Sequence, residues 1–234
     1  MNRRPRLRLA GNLLLIAGGL VLAYPLWSAG YAQVQQTRLD DSYQDSSVAF
    51  AATTEGSAST AKPDVPESEL IRTAALTYTK LLDRGDVVGR LRIPHISLNR
   101  LIQQGTAGPS ALDPDGDRGL LRRGLVHYAV TPLPGAGEPF AISGHRTTYG
   151  APFYELDRLE PGADIFVETP YAKFHYKVVK TTVVVPTDVS VLLDRGYDLV
   201  LTTCTPPYSA SHRLVVWAAL KSATIRERSA SPMH

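Results

Sequence analysis

Tyr197-Asp198-Leu199-Val200-Leu201-Thr202-Thr203-Cys204 is followed by Thr205-Pro206-Pro207-Tyr208-Ser209-Ala210-Ser211-His212-Arg213 and then Leu214-Val215-Val216-Trp217-Ala218-Ala219-Leu220. The first and last runs are apolar, β-branched and of strand length, and the proline-rich middle reads as a turn. The pair is therefore a strand, a loop and a returning strand. It carries the chain's single cysteine to the end of one strand and a fixed cation, Arg213, to the beginning of the next.

Working outward, the same grammar of short apolar runs between turn residues recurs. Val87-Val88-Gly89-Arg90-Leu91-Arg92-Ile93 reads as a strand stopped by Pro94, and Ile96-Ser97-Leu98-Asn99-Arg100-Leu101-Ile102 as the next. Residues 105–124 are broken by Gly, Pro and Asp and read as turns with one short helix near Ser110-Ala111-Leu112. Pro139-Phe140-Ala141-Ile142-Ser143 is a short strand leading into Gly144-His145. Residues 152–159 predict a short helix with Phe153, Leu156 and Leu159 inward. Ile165-Phe166-Val167 and residues 173–185 supply further strands, the latter with Phe174, Tyr176 and Val178 alternating against Lys173, His175 and Lys177. Many short strands and few helices predict an all-β fold, a closed or nearly closed barrel over residues 86–222. Residues 223–234 read as a polar C-terminal tail.

Upstream of the barrel, residues 68–85 read as a helical lead-in. Ser68 stands at its cap, and Leu70, Ala74, Leu76 or Tyr78, and Leu81 or Leu82 supply its apolar face. Residues 32–67 show no sustained apolar period and read as a flexible extracellular stalk. Residues 12–31 carry no charge and are long enough to cross a hydrocarbon layer of about 30 Å as a helix. Arg3, Arg4, Arg6 and Arg8 make residues 1–11 a basic cytoplasmic tail, which predicts an inside N-terminus and an extracellular remainder. Trp27 and Tyr31 suit the membrane interface, which favours a retained anchor over a cleaved signal peptide.

The 234 residues allow one substantial domain with extensions, and the net charge of +3, much of it N-terminal, makes no case for a nucleic-acid partner. One cysteine excludes an internal disulfide and a thiolate-only zinc site. The histidines lack a recognised metal spacing, Gly135-Ala136-Gly137 lacks the rest of a dinucleotide fingerprint, and no cofactor is expected.

Cys204, His145 and Arg213 form the candidate catalytic constellation. A thiolate can attack an amide carbonyl and hold the acyl group as a thioester, an imidazole can protonate the leaving amine, and a guanidinium can stabilise the developing oxyanion. Singly, each has an ordinary structural explanation: a buried small hydrophobe, a strand-end polar residue, a strand-edge charge.

Leu201-Thr202-Thr203-Cys204, with Cys204 nine positions before Arg213, together with Gly144-His145-Arg146, resembles the sortases, membrane-bound cysteine transpeptidases of Gram-positive bacteria. The resemblance covers about residues 88–220. It implies a sortase-type β-barrel with short helices, Cys204 as nucleophile, His145 and Arg213 as its catalytic partners, and Thr203 as a residue that orients substrate or braces the strand. Gly144-His145-Arg146-Thr147-Thr148-Tyr149-Gly150 and the 203–213 segment further resemble class E sortases of actinobacteria. That likeness implies a Leu-Ala-x-Thr-Gly sorting signal cut between Thr and Gly. It also implies secreted proteins as partners and a peptidoglycan precursor amine as acceptor. His127-Tyr128 matches a His-Tyr pair of that class, which makes both candidate substrate-binding residues and Tyr128 a determinant of the alanine preference. Gly124-Leu125-Val126 departs from the class, standing in place of a Gly-Pro-Gly-like turn. The alternatives are a pilus-polymerising sortase, a Leu-Pro-x-Thr-Gly preference, and a non-enzymatic membrane-tethered binding module with an inert cysteine.

Overall fold

The structure, a computed structural model, describes residues 3–55, 65–106, 117–137 and 139–226. Its elements in chain order are α1 (Arg3–Glu55), α2 (Glu67–Thr79), β1 (Val87–Ile93), β2 (Leu98–Gln104), α3 (Arg118–Leu121), β3 (Leu125–His127), β4 (Phe140–Ser143), β5 (Asp164–Glu168), β6 (Ala172–Val184), β7 (Leu199–Thr205) and β8 (His212–Ile225). The strands close into a barrel in the order β1-β2-β3-β4-β7-β8-β6-β5, with β1 pairing β5 to seal it. The pairs β2/β3 and β4/β7 are parallel and the others antiparallel. The expected all-β barrel is thus the observed one.

Period-2 alternation builds the interior. On β6, Ala172, Phe174, Tyr176 and Val178 are buried while Lys173 is exposed and His175 and Lys177 are half-buried. They meet Leu91, Ile102, Leu125, Ile142, Leu201 and Val216 from the other strands. Each Val, Leu, Ile or Phe side chain among them contributes about 1.5–3 kcal/mol on full burial. Phe153, Leu156 and Leu159 point inward as expected, but only residues 156–158 form a helical turn.

β3, a strand the pattern does not indicate, forms over Leu125–His127; all three residues are buried, and it fills the gap between β2 and β4. Three expectations are corrected. α2 starts after Pro66 with no side-chain cap, so Ser68 does not cap it. Its inward face is Ile71, Ala75 and Tyr78, and Leu70, Leu76 and Leu81 are exposed. Tyr78 donates its hydroxyl proton to the Val87 carbonyl at 2.6 Å, and Glu67 accepts from the Ile225 amide at 2.8 Å, which pins α2 at the end of β8 remote from Arg213. β8 runs on to Ile225, so the polar tail does not begin at 223.

The third concerns the stalk, which is helical up to Glu55 as the continuation of α1. Ala32, Gln36, Leu39, Tyr43 and Phe50 recur at three-, four- and seven-residue steps and are buried on the barrel. The stripe escapes a hydropathy reading because two members are polar. Gln36 accepts from the Leu101 amide at 3.0 Å and donates to the Arg123 carbonyl at 3.0 Å, and Asp40 pairs with Arg90. From Gly11 to Tyr24 α1 is exposed and mostly apolar, and from Gly11 onward it is long and apolar enough to cross a membrane. The 56–64 part of the stalk, the helix expected near Ser110 and residues 227–234 lie outside the described residues.

Candidate active site

Strand register brings Cys204 and Arg213 together and sets the strand that leads to His145 beside them. Cys204 pairs directly with Arg213 across β7/β8, and paired residues share a face of the sheet. On the other side of β7, Ser143 of β4 pairs with Thr202, and the Gly144 amide donates to the Thr202 carbonyl at 3.2 Å. Cys204 and Arg213 thus form one row, and His145 stands two residues beyond Ser143, on the segment that leaves β4 beside the β7 end carrying Cys204. Arg213 Nη1 donates to Cys204 Sγ at 3.2 Å. Arg213 is buried and Cys204 half-buried, so the cation meets the sulfur in a partly water-excluded setting that still admits a reagent.

The row lies on the outer face of the barrel. Tyr128, Ala141, Val200, Val215 and Trp217 form an apolar cluster on that face, joined by Leu192. Residues 185–198, which include the single turn Ser190–Leu192, fold across this face. A small cleft there is walled by Tyr128, Val189, Leu192, Thr202, Arg213 and Val215. The Tyr128 and Thr202 hydroxyls share a 2.9 Å hydrogen bond, and burial pushes the Tyr128 phenol pKa upward. Tyr128 is therefore a neutral, fixed wall beside Arg213.

Alternation sends two expected substrate contacts the other way. His127 ends β3 two residues after the core residue Leu125 and so shares its inward face. It is 2% exposed, with Nδ1 2.8 Å from Gln104 Oε1 and Nε2 3.1 Å from Thr131 Oγ1, and burial pushes its pKa down to about 3. It is a core histidine with both nitrogens engaged, not a groove residue. Thr203 points opposite to Cys204, and its hydroxyl donates to the Gly144 carbonyl at 2.8 Å. It braces the segment that carries His145, and its substrate-contact alternative is not supported. The residue that shares the Cys204 face is Thr202, which sequence reading passed over although the period-2 rule identifies it. His212, next to Arg213, is exposed and bonds Ser211.

The approach to His145 is tightly built. A Cβ on Gly144 would stand 2.7 Å from Leu125 Cδ2 and 2.8 Å from Phe153 Cδ2, so only glycine lets the chain pass here. The Phe153 amide donates to the His145 carbonyl at 3.1 Å. The His145 ring lies 5.4 Å from the ring of Tyr149. Arg146, also unforeseen, is buried and paired with Asp157 at 2.9 Å. No group of three or more His, Cys, Asp or Glu among the described residues is arranged to hold a metal.

The Sortase domain family matches residues 91–221. Sortase SrtE1 of Streptomyces coelicolor is 35% identical over 146 residues, covering 56% of this chain and 39% of the relative. Sortase SrtE2 of the same organism is 31% identical over 159 residues, covering 59% of this chain and 58% of the relative. The chain thus spans about half the length of these curated relatives. The crystal structure of Sortase E1 from Streptomyces coelicolor with tripeptide in the active site superposes with a TM-score of 0.50 at 31% identity, covering 64% of this chain and 95% of that one.

Proposed function

The chain belongs to the sortase family, and from that premise we propose that it is a class E-like cysteine transpeptidase that attaches secreted proteins to a cell-wall amine. The observation that carries the reading is the 3.2 Å contact from Arg213 to the Cys204 sulfur, with His145 on the segment that leaves the neighbouring strand. The Cys204 thiolate attacks the threonine carbonyl of a Leu-Ala-x-Thr-Gly-like signal. As the C–N bond breaks, protonated His145 gives its proton to the departing glycine amine, leaving a threonyl thioester. The acceptor amine then attacks, His145 takes its proton, and the thiolate departs as the new amide forms. Arg213 stabilises the carbonyl oxygen while it carries negative charge.

Tyr128 supports the alanine preference. Its ring, tied to Thr202 and packed in the apolar cluster, fills space beside Arg213 that a larger or more rigid residue would need. The relative solved with a tripeptide in its active site agrees with a peptide substrate. Arg3, Arg4, Arg6 and Arg8 ahead of the apolar span put the N-terminus inside and the barrel outside the cell.

The test uses the full chain in detergent with matched Leu-Ala-x-Thr-Gly and Leu-Pro-x-Thr-Gly peptides and an amine, read by mass spectrometry. A thioester on the wild type, none on Cys204→Ala, and alanine-selective ligation are expected. Arg213→Lys should lower kcat/KM about 10- to 100-fold, the worth of one charge-assisted hydrogen bond. Ligation selective for the proline peptide would overturn the signal assignment, and a folded wild type without thioester would overturn the transpeptidase reading.

A further inference from the structure

The segment after His145 is strained and touches the anchor. Tyr149, Gly150 and Ala151 have φ of 51°, 77° and 42°, an unusual left-handed run for chain that includes an aromatic residue. Such outliers persist only where surroundings hold them, and here α1 lies against Tyr149 and Gly150. A Cβ on Gly150 would stand 2.8 Å from the Cβ of Ala32, so the loop and the helix are in backbone-close contact. One residue earlier on each side, the Tyr149 and Tyr31 rings meet edge-on at 6.2 Å. Tyr31 stacks on Trp27 at 5.7 Å, and Trp27 meets Tyr24 at 6.0 Å. The Arg122 guanidinium lies 5.6 Å from the Tyr149 ring centre. On its inner side, Tyr149 is 5.4 Å from the His145 ring, tilted by 35°. An unbroken set of ring contacts therefore runs from the end of the apolar span, through Tyr31 and Tyr149, to His145.

We propose that Tyr149 is a positioning residue for His145 and that the membrane-proximal part of α1 holds it there, so that the anchor helix completes the active site. The inference rests on His145 being the acid and base of the reaction above. Tyr149 touches His145 rather than the reacting atoms. It fixes the plane of an imidazole whose proton must be delivered along one line to the leaving amine, and misplacement of about 1 Å can cost up to 100-fold in rate. Aromatic pairs prefer defined edge-on or offset geometries, so removing Tyr31 frees Tyr149 and, through it, His145.

The experiment uses the full chain in lipid nanodiscs with the alanine-containing peptide. Tyr31→Ala and Tyr149→Ala should each lower kcat for thioester formation about five- to ten-fold with KM changed less than about two-fold, while Tyr31→Phe and Tyr149→Phe stay within about two-fold of wild type. Tyr31 lies outside the barrel core, so its variants keep the wild-type melting curve. An independent readout is the His145 imidazole NMR resonance, assigned by its loss in His145→Gln. Both alanine variants should shift it, because ring currents from Tyr149 change, and both phenylalanine variants should restore it. Unchanged kcat and an unchanged resonance in Tyr31→Ala would overturn the proposal, as would a loss confined to KM. Should the wild type form no thioester, the transpeptidase reading falls while the resonance still decides whether α1 positions His145.

Discussion

Exchanging Asp157 for Asn should destabilise the barrel more than exchanging Arg146 for Met, although Arg146 is the buried partner. The Arg146 side chain is 3% exposed and that of Asp157 56% exposed, with Nη2 2.9 Å from the carboxylate. Among the described residues, Arg146 Nε and Nη1 have no hydrogen-bond partner, so Asp157 carries most of the compensation for a desolvated cation. Breaking a fully buried pair from one side costs about 3–5 kcal/mol because the surviving charge is stranded, and one solvated partner reduces this to about 2 kcal/mol. Arg146→Met removes the stranded charge itself, fills similar space and leaves a carboxylate already in water, so it should fall within about 1 kcal/mol of wild type. At about 3 °C per kcal/mol for a domain of this size, Asp157→Asn should melt about 6 °C lower and Arg146→Met within about 3 °C. Urea and thermal unfolding of the full chain in detergent measure both. The double variant should match Arg146→Met alone, since Asp157 has nothing left to compensate. An unchanged Asp157→Asn beside an Arg146→Met loss above about 2 kcal/mol would refute the electrostatic argument and leave packing as the role of Arg146.

Thr203→Val keeps the shape of the side chain but deletes the 2.8 Å bond to the Gly144 carbonyl; it should cost about 1–3 kcal/mol in urea unfolding and lower kcat more than it raises KM. An unchanged stability would mean that the carbonyl finds another donor. His127, whose pKa falls from 6.5 to about 3 on burial, makes stability depend on acid: the unfolded chain takes up a proton below pH 6.5 that the folded chain refuses, so its contribution is complete above pH 6.5 and lost progressively toward pH 3. His127→Gln should flatten stability against pH across that window, and a slope equal to wild type would exclude His127 as its source. Gly89→Ala would set a Cβ 2.4 Å from the Glu168 carbonyl oxygen across β1/β5, and thermal unfolding should show a loss of about 1–3 kcal/mol; a neutral result would mean that the barrel seam can yield.

Much of the barrel was legible because its strands obey a period of two, and β6 could be read almost residue by residue. β3 was missed because three residues beside a glycine give too little pattern to separate strand from turn. Cys204 and Arg213 were legible as a pair from one hairpin, but their contact depends on register. The same alternation that joins them turns His127 and Thr203 away, a consequence derivable from neighbours yet hidden when residues are matched as motifs. Docking of α1 was illegible for a chemical reason. Gln36 and Tyr43 count as polar in a hydropathy pattern, while in the fold Gln36 meets the Leu101 amide and the Arg123 carbonyl at once. Arg146 stayed unremarked beside His145 because its partner, Asp157, is fixed only once residues 152–159 fold back.

The seating of residues 32–50 on the barrel also sets an altitude. A flexible tether over 32–67 would let a catalytic domain wander about 30–35 Å from its attachment point. A helix that is packed from Ala32 to Phe50 removes that freedom and holds the 145–151 loop beside the point where the apolar span ends. The cleft then searches a plane instead of a volume. Under the proposed function, a polypeptide end still retained at the bilayer would meet it at its own height, whereas one already released would have to come back down. For the proposed reaction, residence at the membrane would then be a criterion of substrate choice separate from the proposed sorting signal.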